Sequence, residues 1–138
     1  MVRINDYVEK VAVATKNILK KDFKDVYVTT ENKDIDKLLG KNKAVVLFNH
    51  IPNNEFKRFL NRDIDEIVLH TTVYVIGKLE NRKYLIDIID KMTQDLFDGV
   101  EFDNSQCRYL DYTYSYEGNP DASGTIFFAG TINYLIEL

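Results

Sequence analysis

The stretch IDEIVLHTTVYVIG, residues 64–77, decides the fold. Its β-branched and apolar side chains run without a break and can be divided between two faces, which predicts one long strand. The segment KYLIDIIDKMTQDLF, residues 83–97, follows almost at once, and its apolar residues recur at helical spacing. We expect this helix over Glu80–Asp98, with Gly99 after its last turn. A long strand leading into an amphipathic helix predicts a sheet that carries the helix on one face.

Upstream of this stretch, the sequence predicts one helix and two strands. The helix is expected over Asp6–Asp22, where Asp6 and Glu9 have the spacing of a capping box. Residues 25–30 are rich in β-branched and aromatic side chains, which predicts a short strand. The continuous apolar run Ala44–Phe48 predicts a strand buried on both faces.

Two polar connections complete this half of the chain. Residues 31–43 are rich in lysine, and Gly40 would end any short helix there. The connection over residues 50–62 predicts another short helix, because Asn53 or Asn54 can cap it.

Downstream of the second helix, two long strands are expected at Gln106–Glu117 and Thr125–Glu137. The sequence between them, GNPDASG, has the composition of a hairpin loop. Alternation would place Tyr112, Tyr114 and Tyr116 on one face, either as an aromatic ladder over the core or as an interface.

The predicted fold is therefore a single α+β domain over residues 1–138. Its sheet is mainly antiparallel (mixed), has about five strands and carries two amphipathic helices packed on one face. The element order is α-β-β-β-α-β-β, ending in a long C-terminal β-hairpin.

Composition limits the possible function classes. No run of about 18 apolar residues occurs, and the first ten residues lack an apolar signal core, so we expect neither a membrane span nor a secretory signal. The single cysteine, Cys107, excludes an internal disulfide and is typical of a reducing compartment.

The net charge of −4 conceals an asymmetry between the two halves. Residues 1–62 carry 13 Lys and Arg against 8 Asp and Glu, whereas residues 63–138 carry 5 against 14. An acidic chain without a basic cluster is a poor ligand for nucleic acid or anionic membranes. The asymmetry is either solvated surface or the basis of head-to-tail self-association, in which the basic part of one copy meets the acidic part of the next.

Chemical motifs point away from catalysis. His50, His70 and Cys107 have no recognised zinc-ligand spacing, and the acidic residues Asp63, Asp65 and Glu66 have no nearby glycine for a calcium loop. We therefore expect no catalytic, cofactor-binding or metal-binding residues. The alternative is a small α+β enzyme or ligand-binding domain, for which His50, His70, Asp63 and Asp65 would be the first candidates.

The element order resembles that of the phage tail-terminator family, small proteins that cap the tail tube and join it to the head-side connector. The resemblance runs from about Ile4 to Leu138. It is carried by a buried strand ending VVLFNH, the long strand IVLHTTVYVIG, the following GKLENRKYLIDIIDKM and the tyrosine-rich pair of terminal strands.

This resemblance implies a non-enzymatic structural protein of the virion tail, assembled in the bacterial host cytoplasm. It would form a homo-oligomeric ring, typically a hexamer, and bind the tail-tube protein and the head-side connector protein. No cofactor, membrane or specific nucleic-acid binding is implied, although DNA would pass through a lumen that the acidic half could line. Another head–tail connector or completion protein remains the nearest alternative.

We expect contacts with neighbouring subunits or the tail tube to come from loops, sheet edges and the tyrosine-rich strand. The candidate residues are Lys37, Lys41, Asn54, Arg58, Arg62, Asp63, Asp65, Glu66, Tyr112, Tyr114, Tyr116, Asn119 and Asp121.

Overall fold

The structure is a computed structural model in which the described residues are 4–31, 34–48, 53–58, 64–96, 100–102, 105–118 and 124–137. Side-chain burial is described for residues 8–31, 34–48, 71–95 and 124–131.

The described elements begin with a helix and end with three consecutive strands. In order they are α1 (Ile4–Lys20), β1 (Val26–Thr29), α2 (Ile35–Leu39), β2 (Ala44–Phe48), β3 (Asn53–Arg58), β4 (Ile64–Lys78), a 3-10 turn (Leu79–Asn81), α3 (Arg82–Leu96), β5 (Val100–Phe102), β6 (Ser105–Gly118) and β7 (Thr125–Glu137).

All seven strands belong to one mixed sheet. Its order is β1-β2-β4-β7-β6-β5, and β3 also pairs with β4. One edge of β4 pairs with β7, while the other edge is shared by β2, over Val73–Gly77, and β3, over Ile64–His70. The β1–β2 pair is parallel and the others are antiparallel. The sheet is thus five strands wide at either level, although it contains seven strands rather than about five.

Both long helices pack on one face of this sheet. The buried apolar residues of α1 and α3 form one cluster with those of β2, β4 and β7. Alternation along β4 directs Val73 and Val75 into this cluster, and Phe128 of β7 pairs with Val75. The predicted α+β class is therefore confirmed.

Close backbone approach explains a glycine at the end of β4. A β-carbon on Gly77 would lie 2.8 Å from Leu85 Cδ2 and 2.9 Å from the Lys43 carbonyl oxygen. Because only glycine fits without displacing these neighbours, the start of α3 can lie directly on the sheet.

An ion pair and a ring contact join the residues that follow α1 to α3. The Lys91 ammonium lies 2.9 Å from the Asp22 carboxylate, and an equal distance separates it from Asp95. Phe23 and Tyr84 pack edge to face with ring centroids 5.3 Å apart. These contacts fix the two helices side by side over the sheet.

The opposite face of the sheet is also largely apolar. Leu47, Tyr74, Ile76 and Phe127 are half-buried there, and Val45 is fully buried. The rings of Tyr74 and Phe127 meet edge to face with centroids 6.0 Å apart. The short helix α2 lies against β2.

Two local predictions are wrong, and one strand was not predicted. The first helix begins at Ile4, so Asp6 lies inside α1 and the predicted capping box is wrong. Residues 53–58 form β3 rather than a short helix, because pairing with the lower half of β4 outweighs the local capping signal. The three-residue strand β5 was not predicted, since so short a segment carries little sequence pattern.

Other boundaries are close to expectation. The short helix α2 does end before Gly40, although Gly40 has φ −69° and makes no use of the left-handed region. The predicted second helix begins with the 3-10 turn and becomes α-helical at Arg82; its expected end at Asp98, with Gly99 after it, lies outside the described residues.

Candidate assembly surfaces

A groove separates α1 from β1 at the side of the molecule where the strand order ends. It consists of two adjoining hollows of about 310 and 200 Å3, and Lys16 borders both. One wall is α1 from Glu9 to Lys20, and the other is β1 with the residues on either side of it. We call this feature the α1–β1 groove. It runs beside β1 along the whole strand.

The middle of the α1–β1 groove is apolar. Ala12 is nearly buried, Val28 is half-buried and Val13 is 57% exposed. Val13 lies outside the helical stripe of Val8, Val11 and Leu19 that enters the core. It therefore adds apolar surface to the groove without contributing to the core.

The two ends of the α1–β1 groove differ in charge. Exposed Lys16, Lys20 and Lys24 border the end near the start of β1. Exposed Glu9 and Glu31 border the other end. The lysines belong to the basic half of the sequence, so an occupant with acidic side chains would be favoured at their end.

Among the described strands, each side of the sheet ends in two strands at different levels: β1 and β3 on one side, β6 and β5 on the other. On one side the strand order stops at β1, and on the other β5 pairs only with residues 105–107 of β6. Among the described strands, none pairs with the edge of β6 that faces away from β7 over residues 108–118. We call this the outer edge of β6. Such an edge is a template for pairing with another chain.

The direction of β6 relative to β1 follows from the strand pairings. Because β1 is parallel to β2, and each step from β2 through β4 and β7 to β6 is antiparallel, β6 runs antiparallel to β1. They also lie at one level of the sheet. The row of paired residues that shows this is Gly118, Phe127, Ile76, Val45 and Tyr27.

A second exposed apolar residue lies at the end of the long strands. Leu79 is 51% exposed and, with Gly124, lines an open hollow of about 520 Å3. The Leu79 amide donates a hydrogen bond of 2.9 Å to the Gly124 carbonyl, and Gly124 has φ +78°, a conformation that favours glycine. Among the described side chains, Val13 and Leu79 are the large apolar residues that stand out as exposed.

The predicted contact residues fall in separate parts of this fold. Lys37 lies on α2 and Lys41 follows it, and both are exposed. Asn54 of β3 pairs with Leu69 of β4, whereas Arg58 pairs with Ile64, beside Asp65 and Glu66 at the end of β4 opposite Lys78. Four further candidates lie outside the described residues: Arg62, Asp63, Asn119 and Asp121.

The three candidate tyrosines of β6 do not share one face. Tyr112 pairs with Ile132 and Tyr114 with Gly130, but Tyr116 pairs with Ala129. A bulge between Tyr114 and Tyr116 adds a residue to β6, so the register position of Tyr116 falls on the other face. The prediction of a single tyrosine face is therefore wrong.

The titratable groups of the described residues include one lysine held between two carboxylates. The pKa of Lys91 is raised, because its ammonium donates hydrogen bonds to Asp22 first and to Asp95 second. Within the described part of the chain, no three His, Cys, Asp or Glu side chains are grouped so that they could hold a metal ion. His50 and Asp63 lie outside the described residues, and His70 and Asp65 are described only as backbone of β4.

The α1–β1 groove is the surface that the sequence analysis missed. Val13 was the available signal, since it is an apolar residue outside the core stripe of a predicted amphipathic helix.

None of the helices in the described part of the chain is long and apolar enough to cross a membrane. Comparison with known proteins found no matching family model and no similar curated protein.

Proposed function

We propose that this chain is a structural protein of a phage or prophage virion, a tail terminator that forms a ring on the tail tube. The observation that carries the proposal is that, among the described strands, β1 pairs only with β2 and residues 108–118 of β6 pair only with β7, at opposite sides of the sheet. Two different edges at opposite ends of one sheet suit heterologous contacts, which close into rings when the rotation between copies permits.

Charge supports the same arrangement. β1 and the α1–β1 groove belong to the basic half of the chain, whereas β6 belongs to the half with 5 Lys and Arg against 14 Asp and Glu. Copies arranged head to tail bring opposite charges together, which speeds their encounter and disfavours two-fold contacts between like edges.

The strand ends then supply the remaining partners. In a ring closed through lateral edges, the ends of the strands face along the ring axis, where a tail tube and a head-side connector would lie. One end carries Leu79 and Gly124, beside the predicted tip of a long C-terminal hairpin at residues 118–123. The other carries Arg58 of β3 and Ile64 of β4. We assign these two ends to the tail-tube protein and the connector protein, without assigning which is which.

Electron microscopy of tails made with and without this protein tests the function. We expect that its loss gives tubes that overgrow or fail to join heads, and that the wild-type gene supplied separately restores normal particles. Tails of normal length that only fail to join heads would indicate another connector or completion protein. Normal tails with normal joining would refute both.

A further inference from the structure

We propose that the α1–β1 groove receives strand β6 of a second copy of this chain, which pairs antiparallel with β1 and continues the sheet from one subunit into the next. The inference deepens the proposed function, because it names the contact that closes the ring. It also stands apart from that function, since self-association of this kind can be measured without a phage tail.

The backbone geometry favours this pairing. β6 runs antiparallel to β1 within one subunit, so a neighbour placed beside it without inversion presents its β6 antiparallel to β1. Antiparallel ladders are slightly more stable per residue than parallel ones. Because Gly118 and Tyr27 lie in one row across the sheet, the upper part of β6 meets β1 with little shift along the strands.

The α1–β1 groove provides a place for the side chains of an added strand, whereas the edge of β1 alone provides only backbone hydrogen bonds. Side chains of an added strand alternate between the two faces of the sheet, and those on the helix face enter the groove. There they contact Ala12, Val13 and Val28, which form its apolar middle. The exposed position of Val13 is explained if the side chain becomes buried in the assembled ring.

Charge selects the acidic strand as the occupant. At the level of β1, residues 114–118 of β6 carry Glu117 and no cation, and three lysines border the α1–β1 groove. Glu117 pairs with Phe128, which is in one row with Val75, Val46 and Val28. The proposed pairing therefore brings Glu117 to the level of Lys16, which lines the groove together with Val28.

A matched pair of variants tests the groove. Val13→Glu places a charge in its apolar middle, whereas Asn17→Glu adds the same charge to an exposed position of α1 that lines neither hollow. Neither change lowers helix propensity, so both variants should fold. By sedimentation velocity, we expect wild type and Asn17→Glu to form rings and Val13→Glu to weaken association at least tenfold.

Disulfide cross-linking identifies the occupant. In a Cys107→Ser background, Thr30→Cys is combined in one chain with a cysteine at Tyr112, Tyr114 or Tyr116, one at a time. Because a disulfide needs Cα atoms about 4.4–6.8 Å apart, only residues close together across the junction can react. We expect a ladder of dimers, trimers and larger species for at least one pair, and none for either single cysteine.

The alternative results are distinct. Cross-linked dimers from a β6 cysteine alone would indicate two-fold pairing of β6 with β6 and would overturn the inference. Rings that persist in Val13→Glu and give no cross-link would also overturn it, while leaving the tail-terminator proposal intact. Self-association of the wild-type chain weaker than a Kd of about 1 mM would also overturn the inference. It would leave the tail-terminator proposal to be decided by the tail experiment.

Discussion

Leu85 lies so close to Gly77 that a β-carbon added to Gly77 would come within 2.8 Å of Leu85 Cδ2. The Lys43 carbonyl oxygen closes the other side of this position at 2.9 Å. The backbone oxygen cannot turn aside as a side chain can, so Gly77 fixes the distance between α3 and the sheet.

Gly77→Ala is therefore expected to lower the free energy of unfolding by about 1–3 kcal/mol, the usual cost of overpacking a core. Gly40→Ala is the control, because the added methyl group meets its nearest atom at 3.3 Å and the backbone φ is −69°. We expect the control to change stability by less than about 1 kcal/mol. Urea denaturation measures both, and equal losses would contradict the close approach.

The ring contact between Phe23 and Tyr84 should couple the two residues energetically. Edge-to-face aromatic pairs contribute about 0.5–1.5 kcal/mol beyond the area they bury. A double-mutant cycle with Phe23→Leu and Tyr84→Leu should return a coupling energy in that range. Tyr84→Phe keeps the ring and should keep most of the coupling. Additive single-mutant losses would show that the contact contributes burial alone.

The ion pairs of Lys91 predict a pH dependence. The pKa of Lys91 is raised above its ordinary value of 10.5 by Asp22 and Asp95, so the stabilisation is fully present below the pKa of the unfolded chain and lost as pH rises through the folded pKa. The stability difference between wild type and Lys91→Gln should therefore shrink only at alkaline pH, above about 10. Thermal unfolding from pH 7 to 11 checks this.

The control for that experiment is Lys83→Gln, an exposed position on the same helix. Its stability difference from wild type should not follow the same alkaline profile. A Lys91→Gln difference that persists unchanged to pH 11 would show that the lysine stabilises α1 and α3 by packing rather than by charge.

Self-association should weaken as salt is added. The Debye length falls from about 8 Å at physiological ionic strength to about 3 Å at 1 M, which screens attraction between the basic and acidic halves. Replacing Lys16, Lys20 and Lys24 by glutamine should reduce the salt dependence measured by sedimentation. The double variant Lys37→Gln and Lys41→Gln is the comparison. A larger effect from that double variant would move the charged contact to α2.

We expect Leu79 and Val13 to contact different partners. It lies at the strand ends, away from the lateral edges, so Leu79→Glu is expected to leave ring formation unchanged. Because a buried charge without a partner is costly, the same variant should reduce attachment to the tail tube or the joining of heads. Electron microscopy of complemented tails measures this. Loss of the ring itself in Leu79→Glu would contradict the assignment.

Sequence predicted the parts of the fold that depend on repeated local pattern. The continuous apolar run Ala44–Phe48 forms β2 at the predicted bounds, and Thr125–Glu137 does the same for β7. Asn53–Arg58 has few residues that favour a strand on their own, so β3 depends on the edge that β4 offers it. The bulge after Tyr114 likewise follows from pairing with β7.

The candidate surface was less predictable for the same reason. The lysines and Val13 are visible in the sequence, but the α1–β1 groove exists only because α1 lies beside the last strand of the sheet. Likewise, among the described strands only β5 pairs with β6 on the side away from β7, and it does so over three residues. Neither relationship has a local signature in the residues involved.

The central ladder of β4 and β7 joins segments far apart in the chain, from the pair Lys78 and Thr125 to the pair Glu66 and Glu137. During synthesis, the nascent chain can form α1, β1 and β2 early, but β4 remains half-paired until β7 leaves the ribosome. Such non-local pairing slows folding. The α1–β1 groove, the proposed acceptor, is thus translated well before β6, the proposed donor strand, can be held in place by β7. In the proposed contact, a chain that has not yet completed β7 therefore has no fixed β6 to offer a neighbour, so release from the ribosome has to precede assembly.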